Sequence, residues 1–402
     1  MAFQIKGAGR TVSDGVRLLK CGACGRCSDP LPVGGMGKRK ILVLFEQPSQ
    51  AQWSARSWFA GGDATVLQIL SGLGLTLHGD IYVTAVLPCF GTREAVFRYE
   101  SCLVKLEETL KQLAPRLIIA VGPGATGAVL RLYNSRHFGA ECMSAQYYGH
   151  CIPLTIAAGW NCWLAPIQSD REIHANQNVQ MQKVAKDWVQ RALGWAIEMA
   201  REVPPKEELP HVTILYETAE IVRVLKEAAL SKCVGFDYET NALQPETPGA
   251  KILTSAISYS LGGDKLFTYA FPMASEVVRA QWREFLQSDV PKVGANIKFE
   301  HRWSLVNLGV SVVNWIWDVC VGGRILDCVP GNSGLKFLTF VNFGVIGYDD
   351  DVSPFMKDDE NKHNSLDKAN VRDLLTYNGY DAYFTMECYR RQSEVLQIKD
   401  EM

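Results

Sequence analysis

The 402-residue sequence has no apolar run long enough to span a bilayer, and its N-terminus lacks the charged-then-apolar order of a secretion signal. An intracellular, cytoplasmic protein without a membrane partner is therefore expected. An excess of charge of either sign is also missing. The net charge is −2, so no broad basic field announces nucleic acid. A carboxylate-rich metal site would offset a basic groove in that sum, so nucleic-acid binding stays open. No internal repeat or low-complexity tract occurs, which excludes solenoid and fibrous architectures.

Hydrophobic residues make up 47% of the chain, and its length calls for about two to three domains. The clearest boundary is Arg201–His211 (REVPPKEELPH), which is rich in proline and charge and resists packing. It follows a long helical pattern over Gln180–Met199. The expected division is residues 1–203, a linker at 204–211, and 212–402. Before the linker, the apolar runs Lys40–Phe45, Asp80–Leu87 and Arg116–Val121 read as strands. They alternate with helical segments at Ala64–Leu73, at Arg98–Leu113 and after Gly122–Gly127. That alternation predicts an α/β domain with a doubly wound parallel sheet. After the linker, His211–Tyr216 is a strand and Thr218–Leu230 a helix. Three strands then follow in succession: Cys233–Tyr238, Ile252–Tyr259 and Leu266–Phe271. Gly-containing turns between them predict antiparallel pairing, and helices to the end complete an α/β mixed sheet.

The strand CVGFDYET carries Asp237 and Glu239. Two residues apart on a strand, both side chains point to one face. Clustered carboxylate oxygens are what a hard divalent cation needs. The segment VGANIKFEHRW contributes Asn296, Lys298, Glu300 and His301, and TYNGYDAYFT places Tyr377 and Asp381 at Y-x3-D. Four apart on a helix, the phenol and the carboxylate share a face. Two-metal phosphodiester hydrolysis requires such parts, namely carboxylates to hold the ions and a hydroxyl to orient water.

The ordered set D-x-E, N-x-K-F-[DE], Y-x3-D resembles the tyrosine variant of the DEDD-type 3′-5′ exonucleases, in particular the proofreading domain of the DNA polymerase I family, over about Val212–Arg391. WDVCVGGRILD (317–327) and GLKFLTFVNF (334–343) are similar to that family's intervening helices. The resemblance implies a ribonuclease-H-like fold and removal of 3′ nucleotides from DNA with two Mg²⁺ or Mn²⁺ ions. It makes Asp237, Glu239 and Asp381 metal ligands and Tyr377 the water-positioning group. Glutamate at position 300 replaces the usual aspartate and keeps the oxygen chemistry with one more methylene. Asn296 and Lys298 stand as either a structural turn or a DNA phosphate contact. Trp303, Trp315 and Trp317 are expected in the core. The partners implied are DNA with a free 3′ end and a polymerase domain or replisome component, in a replication or repair setting that includes phage-encoded enzymes. The alternatives are the front of a phage-type polymerase, or a glycosylase-family repair protein with an exonuclease-like scaffold.

Twelve cysteines are many for an intracellular chain, where disulfides are rare. Cys21, Cys24 and Cys27 form C-x2-C-x2-C, and Cys89 and Cys102 follow. Four thiolates in two pairs suit zinc or an iron–sulfur cluster. Residues 18–195 resemble the iron–sulfur uracil-DNA glycosylase superfamily through these cysteines and through RLIIAVGPGAT (116–126). The resemblance implies a 4Fe-4S cluster on Cys21, Cys24, Cys89 and Cys102, with Cys27 as a substitute ligand. The glycosylase's own catalytic positions match poorly. Ala85 stands where the pattern has asparagine, Gln168–Ser169 where it has a histidine segment, and Glu46 has lost its glycines. A structural or DNA-binding role is expected for this half, because a flipped base needs polar groups that read its edge.

Overall fold

The computed structural model describes residues 30–60, 65–90, 96–139, 144–157, 160–175, 177–357 and 363–397. The chain divides into two compact units. One holds the described residues up to Glu207 with Val341–Gly344, and the other holds Glu208–Phe340 with the described residues from Val345 onward. Among the described residues, no helix is long and apolar enough to cross a membrane.

The first unit is built on β1 (Ile41–Phe45), β2 (Ile81–Ala85), β3 (Leu117–Val121), β4 (Ile152–Ala157) and β5 (Trp160–Ile167), in the order β2-β1-β3-β5-β4. Strands β2, β1, β3 and β5 are parallel. The sheet is nonetheless mixed, which corrects the all-parallel expectation, because β4 pairs antiparallel with β5. Ala157 and Trp160 are partners, so only two residues join the strands. A parallel crossover needs a dozen or more. Ile41, Val43 and Val83 join a core with Val66, Leu70, Val189 and Leu193 of the helices Thr65–Gly72 and Val179–Met199. Leu42 and Leu44 alternate to the opposite face and are also fully buried. Burial of both faces explains the unbroken apolar runs of these strands. The helix Gly122–Tyr133 follows β3 directly, and the chain turns into it at Gly122, whose φ is +84°. Pro123 lies in its first turn, where a missing N–H costs nothing.

The second unit is built on β6 (Thr213–Ile214), β7 (Val234–Thr240), β8 (Ile252–Tyr259), β9 (Phe267–Pro272), β10 (Lys292–Gly294) and β11 (Trp315–Asp318), in the order β11-β10-β7-β8-β9-β6. Strands β7, β8 and β9 are antiparallel as expected. β10 and β11 then add in parallel beside β7. One face packs Phe236 against Trp282 and Phe285 of the helix Glu276–Leu286 and against Ile221 and Val224 of the helix Thr218–Ala228.

The other face carries the 26-residue helix Val371–Leu396. Small residues set its close approach. Ala256 and Ala270 of the sheet meet Leu375 and Ala382 of the helix. A Cβ on Gly235 would stand 2.6 Å from Met386 and 3.2 Å from the Ala382 carbonyl oxygen. That closeness brings the carboxylate of this helix to those of β7.

Candidate active site

Asp237 and Glu239 project from one face of β7, opposite Ala256 and Thr254 of β8. Tyr377 and Asp381 come from the facing helix, one turn apart. Asp237, Glu239 and Asp381 offer oxygens that all lie within 4.8 Å of one another. Glu239 and Asp381 are buried, and Asp237 is half-buried.

Glu300 arrives from β10. The chain turns at Asn296 with φ of +66° and enters the helix Lys298–Trp303. Asp318, at the end of β11, accepts from the backbone N–H groups of Asn296 and Ile297, each at 3.0 Å, and of Cys320 at 2.9 Å. One carboxylate thus holds both the turn and the start of the helix Val319–Leu326. A directed chain of hydrogen bonds ties the Glu300 backbone to β7. Trp282 Nε1 donates to Tyr238 Oη at 2.7 Å, the Tyr238 hydroxyl meets Ser304 Oγ at 2.9 Å, and Ser304 Oγ donates to the Glu300 carbonyl at 2.7 Å. With Ser304's proton used there, Tyr238 is the donor to Ser304.

Asp237, Glu239, Asp381 and Glu300 line a cavity of about 560 Å³ together with Tyr377, Asn296 and Lys336. Among the described residues, Lys336 is its only basic lining residue. The carboxylates repel one another in this half-dry setting. Burial, then Asp381, holds Asp237 well above the ordinary carboxylate range. Burial, then Asp237 and Asp381, does the same for Glu239, against the lowering pull of Lys336. Burial and Asp237 raise Glu300. Burial raises Asp381, while the phenols of Tyr377 and Tyr348 donate to it and oppose the rise.

Glu300 is 2% exposed, and its Oε2 has no hydrogen-bond partner. A buried carboxylate oxygen left unpaired among other carboxylates is costly unless a cation compensates it. The acidic triad, all oxygen donors, fits divalent metal ions, and Glu300 supplies a fourth carboxylate to the same cavity.

The sequence-derived candidates fall into three groups. Asp237, Glu239, Tyr377 and Asp381 meet directly, and Glu300 joins them at the cavity. Asn296 lines the cavity with an exposed side chain, and its backbone makes the turn. Lys298 is exposed and is not part of the lining. His301 Nδ1 accepts from Trp315 Nε1 at 3.3 Å and is a packing contact. Trp303 is fully buried, Trp315 stacks on Phe236, and Trp317 donates to Gln392 Oε1.

Sequence reasoning missed four contributors. Asn378 donates to Asp237, Tyr348 donates to Asp381, Asp318 anchors the second motif, and Lys336 supplies the cavity's cation. Asn378 lies three residues before Asp381, which puts it on the same helix face and was a usable signal. Nothing local marks Tyr348.

In the first unit, Cys21, Cys24 and Cys27 lie outside the described residues. Cys89 is half-buried beyond β2, and Cys102 is buried on the helix Val96–Leu113. Ala85 is buried at the end of β2. Ser169 caps the helix Asp170–Ile173 in a reciprocal box with Glu172. His174 is exposed and bonds through Nδ1 to the Asp170 carbonyl at 2.8 Å.

No family model and no curated protein matches the chain. Among solved structures it is similar to the catalytic core of RRP6 from Trypanosoma brucei, at 14% identity and a TM-score of 0.36, over 49% of this chain and 51% of that one. It is also similar to RNase D from Trypanosoma brucei in complex with RNA, at 11% identity and a TM-score of 0.37, over 47% and 63%. A third is Brucella melitensis NrnC with bound Mg²⁺, at 13% identity and a TM-score of 0.32, over 46% and 80%. The chain spans about half the length of the RRP6 chain it matches. The chemistry of the cavity is therefore taken from its own side chains.

Proposed function

We propose that this chain is a metal-dependent 3′-5′ exonuclease acting on DNA. The observation that carries the reading is the convergence of Asp237, Glu239 and Asp381 within 4.8 Å at a cavity that also holds Glu300 and Tyr377. Asp237, Glu239, Asp381 and Glu300 would hold two divalent ions. When bound, such ions supply a nucleophilic water and stabilise the leaving oxygen. The Tyr377 phenol, beside Asp381, would orient a water at the cavity. The cavity has room for a terminal nucleotide, and Asn296 stands at its edge as a phosphate contact. DNA as substrate, a proofreading or repair role and an intracellular setting are supported by the motif order, which resembles the DNA polymerase I family.

For the first unit we propose a structural or DNA-binding role, with a 4Fe-4S cluster on Cys21, Cys24, Cys89 and Cys102. What supports it is the resemblance to the iron–sulfur uracil-DNA glycosylases that the cysteine spacing and the apolar strand leading to Cys89 carry.

The decisive assay incubates the protein and an Asp237→Ala/Glu239→Ala double variant with 3′-labelled single-stranded DNA and Mn²⁺. Labelled mononucleotide released by the parent alone supports the reading. No release from either folded protein would sink it. Faster release from the matching RNA oligonucleotide would overturn DNA as the preferred substrate. A brown visible absorption band, lost on oxidation, tests the cluster, and a colourless protein with stoichiometric zinc overturns it.

A further inference from the structure

Tyr348 belongs to no motif and stands 33 positions before Asp381 in the chain, yet its hydroxyl donates to Asp381 Oδ1 at 2.7 Å. Its ring is fixed by the helix that carries Asp381. It stacks on Tyr377 with centroids 6.0 Å apart and planes 27° apart, meets Tyr380 edge-on at 6.1 Å, and contacts Phe384 at 5.4 Å. The next residue, Asp349, pairs with Lys336. Two adjacent residues of one loop therefore hold the cavity's cation and one of its carboxylates.

The terminal torsion of an aspartate is broad, so backbone placement alone does not aim its oxygens. Among neighbours of like charge, an unrestrained Asp381 carboxylate would swing away from Asp237 and Glu239. Tyr377 also donates to it. Two phenols from different elements therefore restrain the orientation of this carboxylate.

We infer that Tyr348 is a positioning residue for metal binding, holding Asp381 in the geometry in which it joins Asp237 and Glu239. The inference rests on the metal-site reading above. Loss of a group that orients a metal ligand typically costs 10–100-fold in metal affinity. A Tyr348 that served only as a core ring with a polar tip would affect stability and leave metal affinity alone.

The test titrates the whole chain with Mn²⁺ and follows free ion by electron paramagnetic resonance. Tyr348→Phe keeps the ring stack and removes the hydroxyl. It is expected to bind Mn²⁺ at least about tenfold more weakly. The Mn²⁺ needed for half-maximal cleavage should rise in step, while KM for the oligonucleotide at saturating Mn²⁺ stays near the parent's. Tyr348→Leu should weaken Mn²⁺ binding as far as Tyr348→Phe does, or further. Parent-like Mn²⁺ affinity in Tyr348→Phe overturns the inference, and so does a loss seen only in Tyr348→Leu, which would assign the effect to the ring. Asp381→Ala is the separate control, because parent-like Mn²⁺ binding in that variant would sink the metal site itself.

Discussion

Asn378 donates from Nδ2 to Oδ2 of Asp237 at 2.8 Å, across 141 positions of sequence. Its own oxygen accepts from Thr254 Oγ1 at 2.9 Å, and Asn378 is fully buried. The helix and two strands are thus locked together at the carboxylate that begins the site. Asn378→Ala removes the donor and leaves the Thr254 hydroxyl unpaired. The variant should lose about 10–100-fold in metal-dependent nucleotide release. It should also be less stable by about 1–3 kcal/mol, read from denaturant unfolding.

The repulsion within the cluster makes a pH prediction. Glu239 is buried and its folded-state pKa is raised, so the fold prefers its protonated form. Any stabilisation from protonation is complete below the ordinary carboxylate value and is lost as pH rises through the raised one. Glu239→Gln removes that charge. Without metal, it should exceed the parent in stability by about 0.5–2 kcal/mol near neutral or higher pH, and the gap should close on acidification. Divalent metal should raise the parent's thermal midpoint at the higher pH and leave that of Glu239→Gln nearly unmoved. Equal midpoints for the two metal-free proteins across the pH series would refute this.

Lys336 is half-exposed, and its partner Asp349 is partly accessible. Such pairs are weak in water, so the ammonium is free to exchange Asp349 for a substrate phosphate. Lys336→Ala should weaken oligonucleotide binding, measured by fluorescence anisotropy. The slope of log affinity against log salt should fall in magnitude by about 0.7, the share of one phosphate contact on a single strand. An unchanged slope would remove Lys336 from the substrate path.

Asp318 accepts from four backbone N–H groups, those of Asn296, Ile297, Cys320 and Val321. Asp318→Asn keeps the size and gives up one acceptor oxygen. Stability should fall by about 1–2 kcal/mol, the scale of a lost helix cap. For a unit of this size each kcal/mol is roughly 2–4 °C in the melt. Cleavage should fall as well, because the turn that presents Glu300 loosens. A normal melt would show the backbone to be self-supporting there.

The elements that the pattern named correctly are those whose cause is local. The runs of β1 and β3 are apolar throughout because both faces are covered. The alternation of β7 puts Asp237 and Glu239 on one side by geometry alone. The four-residue step from Tyr377 to Asp381 works the same way on a helix. The hairpin of β4 and β5 escaped because its strands are apolar without alternation and only two residues separate them. β11 escaped because four residues ending in a helix cap carry too little pattern.

What the sequence by itself determined is the list of carboxylates and phenols and the face each one occupies, since both follow from the side-chain period within one element. Only the tertiary structure decided how close those faces come and what steadies them. Small residues at Gly235, Ala256 and Ala270 let the last helix settle on the sheet. Tyr348 reaches Asp381, and Asn378 reaches Asp237, across gaps that no local period spans. Strand and helix periods act over a few residues, whereas the orientation of a carboxylate depends on which distant donor the packing brings within 3 Å.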